Sequence, residues 1–468
     1  MILRLTDSPG LQSARHITAT LRAAGHQAYL AGGCVRDLIL EHAAKDFDVA
    51  TSATPTEIIA LFPRTQQVGA HFGVILVLHD VAGTETATEV ATFRHDGAYL
   101  DGRRPDAVRF TTNPREDVQR RDFTINGMLL DPAAITAQPS VDQPSVDDSA
   151  ILDFVGGRHD LDAGIIRTIG SPDLRFAEDK LRMLRAIRFA ARRNFSIDPS
   201  TFAAIQRLAP EIAQVSCERI REELTRMLTE GHARRAVKLL DATGLLAQVL
   251  PEIARMKGVE QPPEYHPEGD VFVHTLLLLD HLPRSASPTL AWGMLLHDVG
   301  KPATFQPPNP LKPGDRIRFN GHVEVGVRIA EEILRRLRFS SDDTVQIVAL
   351  VRHHMQFGDV MKMKQSTLKR FLRLHKFDEH LALHRADCLS SHADLSLYHF
   401  AKSAYETTEP HIVRPHLLVT GRDLIAAGYK PGPRFKQMLE AAEDAQLEGQ
   451  IASTEDGLTL LAHKFGPA

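Results

Sequence analysis

Residues 28–48 read AYLAGGCVRDLILEHAAKDFD, and this stretch has the grammar of an α/β fold. Tyr29-Leu30-Ala31 is a short apolar run that leads into Gly32-Gly33, and Val35 to Leu40 then reads as the start of a helix. Asp46-Phe47-Asp48 follows. On a strand, residues i and i+2 point to one face, so both carboxylates can converge on the same ions. Two Mg²⁺ ions held by Asp46 and Asp48 against a nucleoside triphosphate could activate an attacking hydroxyl and neutralise a leaving pyrophosphate. A lone DxD is weak evidence. The glycine pair upstream strengthens it, because Gly32 and Gly33 let backbone N–H groups approach a triphosphate, the next helix offers its N-terminus, and Arg36 could hold phosphate oxygens.

Two further segments fit this reading. Arg120-Arg121-Asp122-Phe123-Thr124-Ile125-Asn126 sets two cations beside a carboxylate; Arg121 would face the triphosphate while Asp122 and Asn126 order the loop. Glu178-Asp179-Lys180-Leu181-Arg182-Met183-Leu184-Arg185-Ala186-Ile187-Arg188 is read as one helix from Glu178 to Arg193, with Asp179 and Arg182 on one face and Arg185 a turn further on. A carboxylate that accepts from an exocyclic amine beside a guanidinium that donates to a ring nitrogen matches cytosine and adenine, and refuses guanine and uracil. Residues 175–195 hold seven basic side chains against two acidic ones, and 362–376 hold six and no acid. Both stretches are candidate RNA footprints.

The composition is that of a soluble globular protein: 468 residues, 43% hydrophobic, 24% charged, net charge −4, with 30 Gly and 27 Pro. No apolar run reaches the ~20 residues of a membrane helix, and no leader pattern opens the chain, so a cytosolic location is expected. Cys34, Cys217 and Cys388 are too few and too scattered for a disulfide framework or a cysteine zinc site. β-Branched runs such as Val74–Leu78 and Thr88–Phe93 mark residues 1–150 as the α/β part. A tandem QPSVD at 138–142 and 143–147 reads as a surface insertion or linker. Helical periodicity dominates from Asp173 onward, with a second boundary near Gln261-Pro262-Pro263 and an unassigned tail at 401–468.

Histidine is concentrated in the second half: 14 of the 23 fall between His266 and His416. His297-Asp298 follows an apolar helix, with His274 upstream and His322, His353, His354 and Asp387 downstream. Adjacent His and Asp with a distant His and a distant Asp can ligate one divalent ion, and His322 with His353 or His354 a second. On a helix His353 and His354 point about 100° apart, so one of the two is expected to ligate.

In order along the chain, GGCVRD (32–37), DFD (46–48), EVATFR (89–94), DGRRP (101–105), RRDFTIN (120–126), EDKLRMLRAIRF (178–189) and ERIREEL (218–224) resemble the motifs of bacterial class II tRNA nucleotidyltransferases, the CCA-adding enzymes, and of their poly(A) polymerase relatives. The resemblance implies a nucleotidyltransferase head with a small mixed sheet and helices (1–150), then an all-α remainder: a neck (151–255), an HD domain (256–400) and a helical tail (401–468). It implies Mg²⁺ on Asp46 and Asp48, triphosphate contacts from Gly33, Arg36 and Arg121, base selection by Asp179 and Arg182, and Arg185 and Arg188 nearby. Glu89 is an additional carboxylate. CTP, ATP and the 3′ acceptor end of tRNA are the implied partners, with no membrane. Thr92–Pro105 resembles a loop whose absence accompanies CC-only enzymes, which disfavours CC-only addition and leaves CCA, A-only and poly(A) synthesis open. The histidine–aspartate set resembles the HD phosphohydrolases, with Mg²⁺ or a divalent transition metal. Rival readings are a hydrolase with a nucleotide-sensing head and a non-catalytic RNA-binding protein.

Overall fold

The structure, a computed structural model, describes residues 2–4, 7–44, 46–69, 73–97, 108–135, 145–408 and 416–467. The first QPSVD copy and residues 98–105 of the Thr92–Pro105 loop lie outside the described residues, and of the second copy only Ser145–Asp147 is described. The chain divides into two units, residues 1–249 and 250–468.

The first unit is built on a seven-stranded mixed sheet. Its strands are β1 (Ala28–Ala31), β2 (Asp48–Thr51), β3 (Thr65–Gly69), β4 (Val74–Val81), β5 (Thr84–Thr92), β6 (Met128–Leu130) and β7 (Ile151–Asp153). They lie in the order β7-β6-β1-β2-β5-β4-β3. Every pairing is antiparallel except β2 with β5. Helix α1 (Pro9–Ala23) buries Leu11, Ala14, Ile17, Thr18 and Leu21, a stripe at three- and four-residue spacing, and helix α2 (Gly33–Ile39) follows β1 directly. Its first turn is capped by Ser8, whose hydroxyl accepts from Leu11 N–H at 3.2 Å. Ala31, Ala50, Phe93, Val118 and Leu129 form an apolar cluster against the sheet. The strand register sets the surroundings of Asp48: Ala31 pairs with Asp48 across β1–β2, and Val49 with Val90 across β2–β5. Gly32 and Glu89 are therefore neighbours of Asp48 by sheet geometry alone.

Beyond the sheet the chain turns helical. Residues 178–193 are not one helix. Helix α3 (Pro172–Glu178) ends at Asp179, whose backbone is extended (φ −149°, ψ 106°), and helix α4 (Leu181–Arg193) starts afresh after Lys180. Asn194 ends α4 in the left-handed conformation (φ 55°). Phe123 is fully buried and meets Phe189 of α4 edge-on, with ring centres 5.8 Å apart.

The second unit is helical. Its main helices are α5 (Val271–Asp280), α6 (Pro288–Leu296), α7 (His322–Arg336), α8 (Ser341–His353), α9 (Gln365–Leu372), α10 (Phe377–Ser390), α11 (Pro433–Leu447) and α12 (Thr454–Phe465). Every residue of α6 from Thr289 to Leu296 is buried, so this helix is apolar all round and central. Trp292, the chain's single tryptophan, packs edge-on against Phe339 at 5.1 Å. Gly300 is required for a close approach: a Cβ there would lie 2.1 Å from the His322 carbonyl oxygen and 2.6 Å from the Gly326 nitrogen. The tail is ordered around α11, α12 and a small cluster of Val419, Leu424, Met438, Ala442 and Leu461. The basic stretch 362–376 is in part consumed here: Arg370 and Arg373 pair with Glu443 at 2.8 and 2.6 Å, and Lys369 donates to the Leu447 carbonyl at 2.6 Å. Those three cations hold α9 to α11, which corrects the reading of the whole stretch as an RNA footprint. Among the described residues, no helix is long and apolar enough to cross a membrane.

Candidate functional site

In the first unit, the turn and helix that follow β1, the start of β2, the break at Asp179 and helix α4 surround a cavity of about 480 Å³. Its lining includes Gly32, Gly33, Arg36, Asp48, Arg121, Asp122, Asn126, Asp179, Arg182, Arg185 and Arg188. Asp46, exposed and just ahead of β2, is absent from that lining but close enough to raise the pKa of Asp48. Burial and the neighbouring Glu89 carboxylate push Asp48 up to about 6, although Arg121 pulls the other way. This carboxylate is short of positive charge. Gly32 adopts φ +74°, and a Cβ there would sit 3.3 Å from Arg121 Nη1 and 3.9 Å from Asp48 Oδ2, so glycine keeps open the gap between cation and carboxylate.

A buried polar chain ties the wall together. Arg36 Nη1 donates to Asn126 Oδ1 at 2.6 Å, and Asn126 Nδ2 donates to Asp122 Oδ1 at 3.1 Å. Asp122 Oδ2 accepts from Arg185 at 2.6 and 2.9 Å. Burial would raise Asp122, but Arg185 and Asn126 hold it down at about 2. Arg121 is steadied by Asp117 at 3.0 Å. Thr124–Asn126 is a 3₁₀ turn.

Asp179 and Arg182 share the cavity, but not as a pair on one helix face. Asp179 sits in the break between α3 and α4, where Arg219 grips it at 2.7 and 3.2 Å. Arg182 donates to the carbonyls of Arg175 and Arg120, each at 3.1 Å, and to Glu178. Arg188 is buried and bonded to Glu223 at 2.6 Å, an internal ion pair. The basic run 175–193 is paired throughout: Arg175 with Glu178, Lys180 with Glu211, Arg192 with Glu230, and Arg193 with Asp37. Arg193 and Arg185 tie α4 to Asp37 and Asp122 of the head, and the other cations pair within the helical region, so this run is not a face of unpaired cations as the footprint reading had it.

The second unit holds a second convergence. His297, His322 and His354 each use Nδ1 against a backbone carbonyl, of Met294, Phe319 and Val351 at 2.9, 3.0 and 2.7 Å. His274 uses Nδ1 against Glu268 at 2.6 Å. All four Nε2 atoms then turn inward. His274 Nε2 lies 3.0 Å from Asp387 Oδ1, His297 Nε2 lies 3.1 Å from Asp298 Oδ2, and the Nε2 atoms of His322 and His354 are 3.4 Å apart. Asp298 Oδ1 stands 3.8 and 3.7 Å from those last two nitrogens. Nε2 of both His274 and His297 is buried without a hydrogen-bond partner. Two donors about 2.1 Å from one ion and near right angles to each other lie about 3 Å apart, so these separations fit a metal's ligand sphere. Asp298 would be lifted by burial, yet Lys301 (2.7 Å) and His297 keep it well below the usual carboxylate range. An open cavity of about 800 Å³ reaches Asp298, His322, His354 and Asp387.

His353 is left out of this cluster. Its ring faces His380 instead, 6.0 Å away, and of the adjacent pair it is His354 that turns inward.

Three family profiles match the chain: the Poly A polymerase head domain at residues 28–167, a probable RNA and SrmB-binding site of polymerase A at 194–257, and a tRNA nucleotidyltransferase domain 2 at 322–462. The CCA-adding enzyme of Limosilactobacillus reuteri (strain DSM 20016) is 31% identical over 460 residues, 96% of each protein. The chain belongs to the bacterial CCA-adding enzyme and poly(A) polymerase family. The CCA-adding enzyme of Geobacillus thermodenitrificans is 41% identical over 246 residues, 53% of this chain and 56% of that protein. The chain thus spans little more than half the length of the Geobacillus relatives it matches. The crystal structure of the Bacillus stearothermophilus CCA-adding enzyme in complex with CTP superimposes with a TM-score of 0.73 at 26% identity, over 98% of both chains.

The sequence alone gives no signal for Arg219 on the cavity wall or for Glu268 behind His274, and Arg120 and Arg192, read there as cations of two basic segments, also line the cavity. ERIREEL was quoted only as a motif, and the contact of Arg219 with Asp179 joins residues 40 positions apart. His380 and His384 also form a buried layer, His384 stacked on Phe357 at 4.2 Å. Burial depresses each to about 4, with His353 adding to the effect on His380. The folded values lie below the ordinary 6.5, so the unfolded chain takes up these protons first as the pH falls. Their stability is complete above pH 6.5 and is lost towards pH 4, on the order of 3 kcal/mol each. Trp292 fluorescence in EDTA should therefore report a lower unfolding temperature at pH 5 than at pH 7, and an equal or higher one would refute the buried-neutral assignment.

Proposed function

We propose that this chain is a cytosolic tRNA nucleotidyltransferase that adds C, C and A stepwise to the tRNA 3′ end from CTP and ATP. The observation that carries the reading is one cavity shared by the Gly32–Asp48–Arg121 group and the Asp179–Arg182 group, a triphosphate cradle facing a base-edge selector. The relative solved with CTP bound is in accord with it. Asp46 and Asp48 would hold two Mg²⁺, and the raised pKa of Asp48 marks a carboxylate short of cationic charge. When bound, the ions lower the pKa of the attacking hydroxyl and neutralise charge building on the leaving pyrophosphate. Gly32 and Gly33 admit the triphosphate close to the backbone, and Arg121 and Arg36 supply cations along it. Asp179 accepts from the exocyclic amine of the base, and Arg182, steadied by Glu178 and two carbonyls, donates to the ring nitrogen.

Arg182→Ala should lower the preference for CTP over UTP by about 10- to 100-fold, the worth of one charged hydrogen bond to the base edge. Unchanged selectivity in competition assays would remove Arg182 from base selection. The reading itself is tested with transcripts ending at the discriminator base, at C and at CC, each with labelled CTP or ATP and Mg²⁺. Addition of C, C and A that then stops supports it. A single A on the CC transcript alone identifies an A-adding enzyme, and long A tracts a poly(A) polymerase. No incorporation on any transcript, with phosphatase activity present, favours a hydrolase with a nucleotide-sensing head.

A second activity is supported by the histidine–aspartate cluster. His274, His297, Asp387 and Asp298 would hold one divalent ion, and His322, His354 and Asp298 another, as in the HD phosphohydrolases. Lys301 and the open cavity suit a phosphate ester, monoester or cyclic. A bound pair of ions would polarise the phosphorus and ready water to attack it.

A further inference from the structure

Glu268 belongs to no motif. It lies in the chain leading into α5, and its side chain is only 6% exposed. Its Oε1 accepts two hydrogen bonds, from His274 Nδ1 at 2.6 Å and from His266 Nδ1 at 2.9 Å, while Oε2 is buried without a hydrogen-bond partner. The rings of His266 and His274 meet edge-on at 4.9 Å. His266 reaches the 800 Å³ cavity, and His274 is wholly buried.

We infer that Glu268 is a positioning residue for the metal centre, fixing His274 with Nδ1 protonated and its Nε2 lone pair aimed beside Asp387. The inference rests on the reading of His274 as a metal ligand. Glu268 stands apart from the other supports of the cluster. The remaining three histidines are each held by a backbone carbonyl three residues earlier, in the last turn of a helix for His297 and His354 and in the turn before α7 for His322. His274 sits inside α5, where the preceding carbonyls serve the helix, so its Nδ1 proton needs an acceptor from outside. A carboxylate is the stronger acceptor, and it raises the basicity of the ring that donates to it. His266 holds the same oxygen from the cavity side, so the carboxylate is clamped between a cavity-wall side chain and a ligand. A group in the cavity that moves His266 would then be felt at His274.

The test uses the full chain carrying Asp48→Ala, so that the head does not compete for metal, stripped with EDTA and titrated calorimetrically with Ni²⁺ alone. Glu268→Ala should weaken binding by about 10- to 100-fold. Glu268→Gln, which still offers an oxygen acceptor to Nδ1, should recover most of the loss. Trp292 fluorescence checks that the unit is folded. Should the alanine variant not fold, Glu268→Asp withdraws the carboxylate by one methylene, and a weakened affinity is again expected. Unchanged affinity in the alanine or aspartate variant overturns the role of Glu268. Failure of the Asp48→Ala parent itself to bind Ni²⁺ overturns the metal reading on which the inference stands.

Discussion

Asp48→Asn should abolish incorporation of CTP and ATP into tRNA while leaving the protein as stable as before, or slightly more so. The carboxylate begins β2 and is placed by pairing with Ala31 on one side and by its position beside Glu89 on the other. Burial and Glu89 hold its pKa up at about 6, so in the metal-free protein its charge is less stable than that of a carboxylate in water. A neutral amide of the same shape removes that repulsion, which is why stability should not fall. It also removes the charge that would face a divalent ion, a contribution of several kcal/mol to phosphoryl transfer, or on the order of 10³-fold or more in rate. Single-turnover incorporation on a CC-ended transcript, alongside a thermal melt, separates the two effects. Activity within tenfold of wild type would remove Asp48 from the metal site. Lost activity with a much lower melting temperature would mean that the carboxylate serves the fold instead.

The parts of the site legible in the sequence were those where chemistry and spacing coincide locally. Gly32-Gly33 next to a short apolar run declares a sharp turn whatever lies elsewhere, and Asp48 two residues after Asp46 marks the carboxylate that reaches the cavity, although the strand begins only at Asp48 and Asp46 lies off it. What was not legible depends on distant partners. Residues 175–193 look like a cationic surface because their acids, Asp37, Asp122, Glu211, Glu223 and Glu230, are scattered through the chain. The break at Asp179 was hidden for another reason: apolar residues keep helical spacing from Leu181 onward, and nothing like Pro or Gly marks the extended residue before them. Residues 362–376 behave the same way, since Glu443 lies about 70 positions beyond the arginines it neutralises. The choice between His353 and His354 turned on helix phase. The chain tightens to a 3₁₀ turn at His354, whose Nδ1 finds the Val351 carbonyl and whose Nε2 then faces His322.

Asp298→Asn should remove together both of the ions proposed for the second unit, a larger effect than loss of any one histidine. The two carboxylate oxygens of Asp298 face different groups: Oδ2 lies 3.1 Å from His297, and Oδ1 3.8 and 3.7 Å from His322 and His354. An amide offers one oxygen and no charge, so at most one of those groups keeps a donor, and a weaker one. With the head silenced by Asp48→Ala, the stoichiometry of bound Ni²⁺ should fall from two ions towards none, whereas His322→Ala should leave the ion at His274, His297 and Asp387. The substitution has a structural cost that must be told apart from this effect, because Lys301 is buried 2.7 Å from Oδ2 and loses its counter-charge. Removing one partner of a buried pair typically costs about 3–5 kcal/mol, reduced here because the amide oxygen and Gln261, 2.6 Å from Nζ, still accept from the ammonium. Trp292 fluorescence therefore belongs in the same experiment. A native spectrum with no bound Ni²⁺ identifies Asp298 as the bridge between the two sites. A native spectrum with one tightly held ion would mean that the sites are independent and that Asp298 serves only one of them.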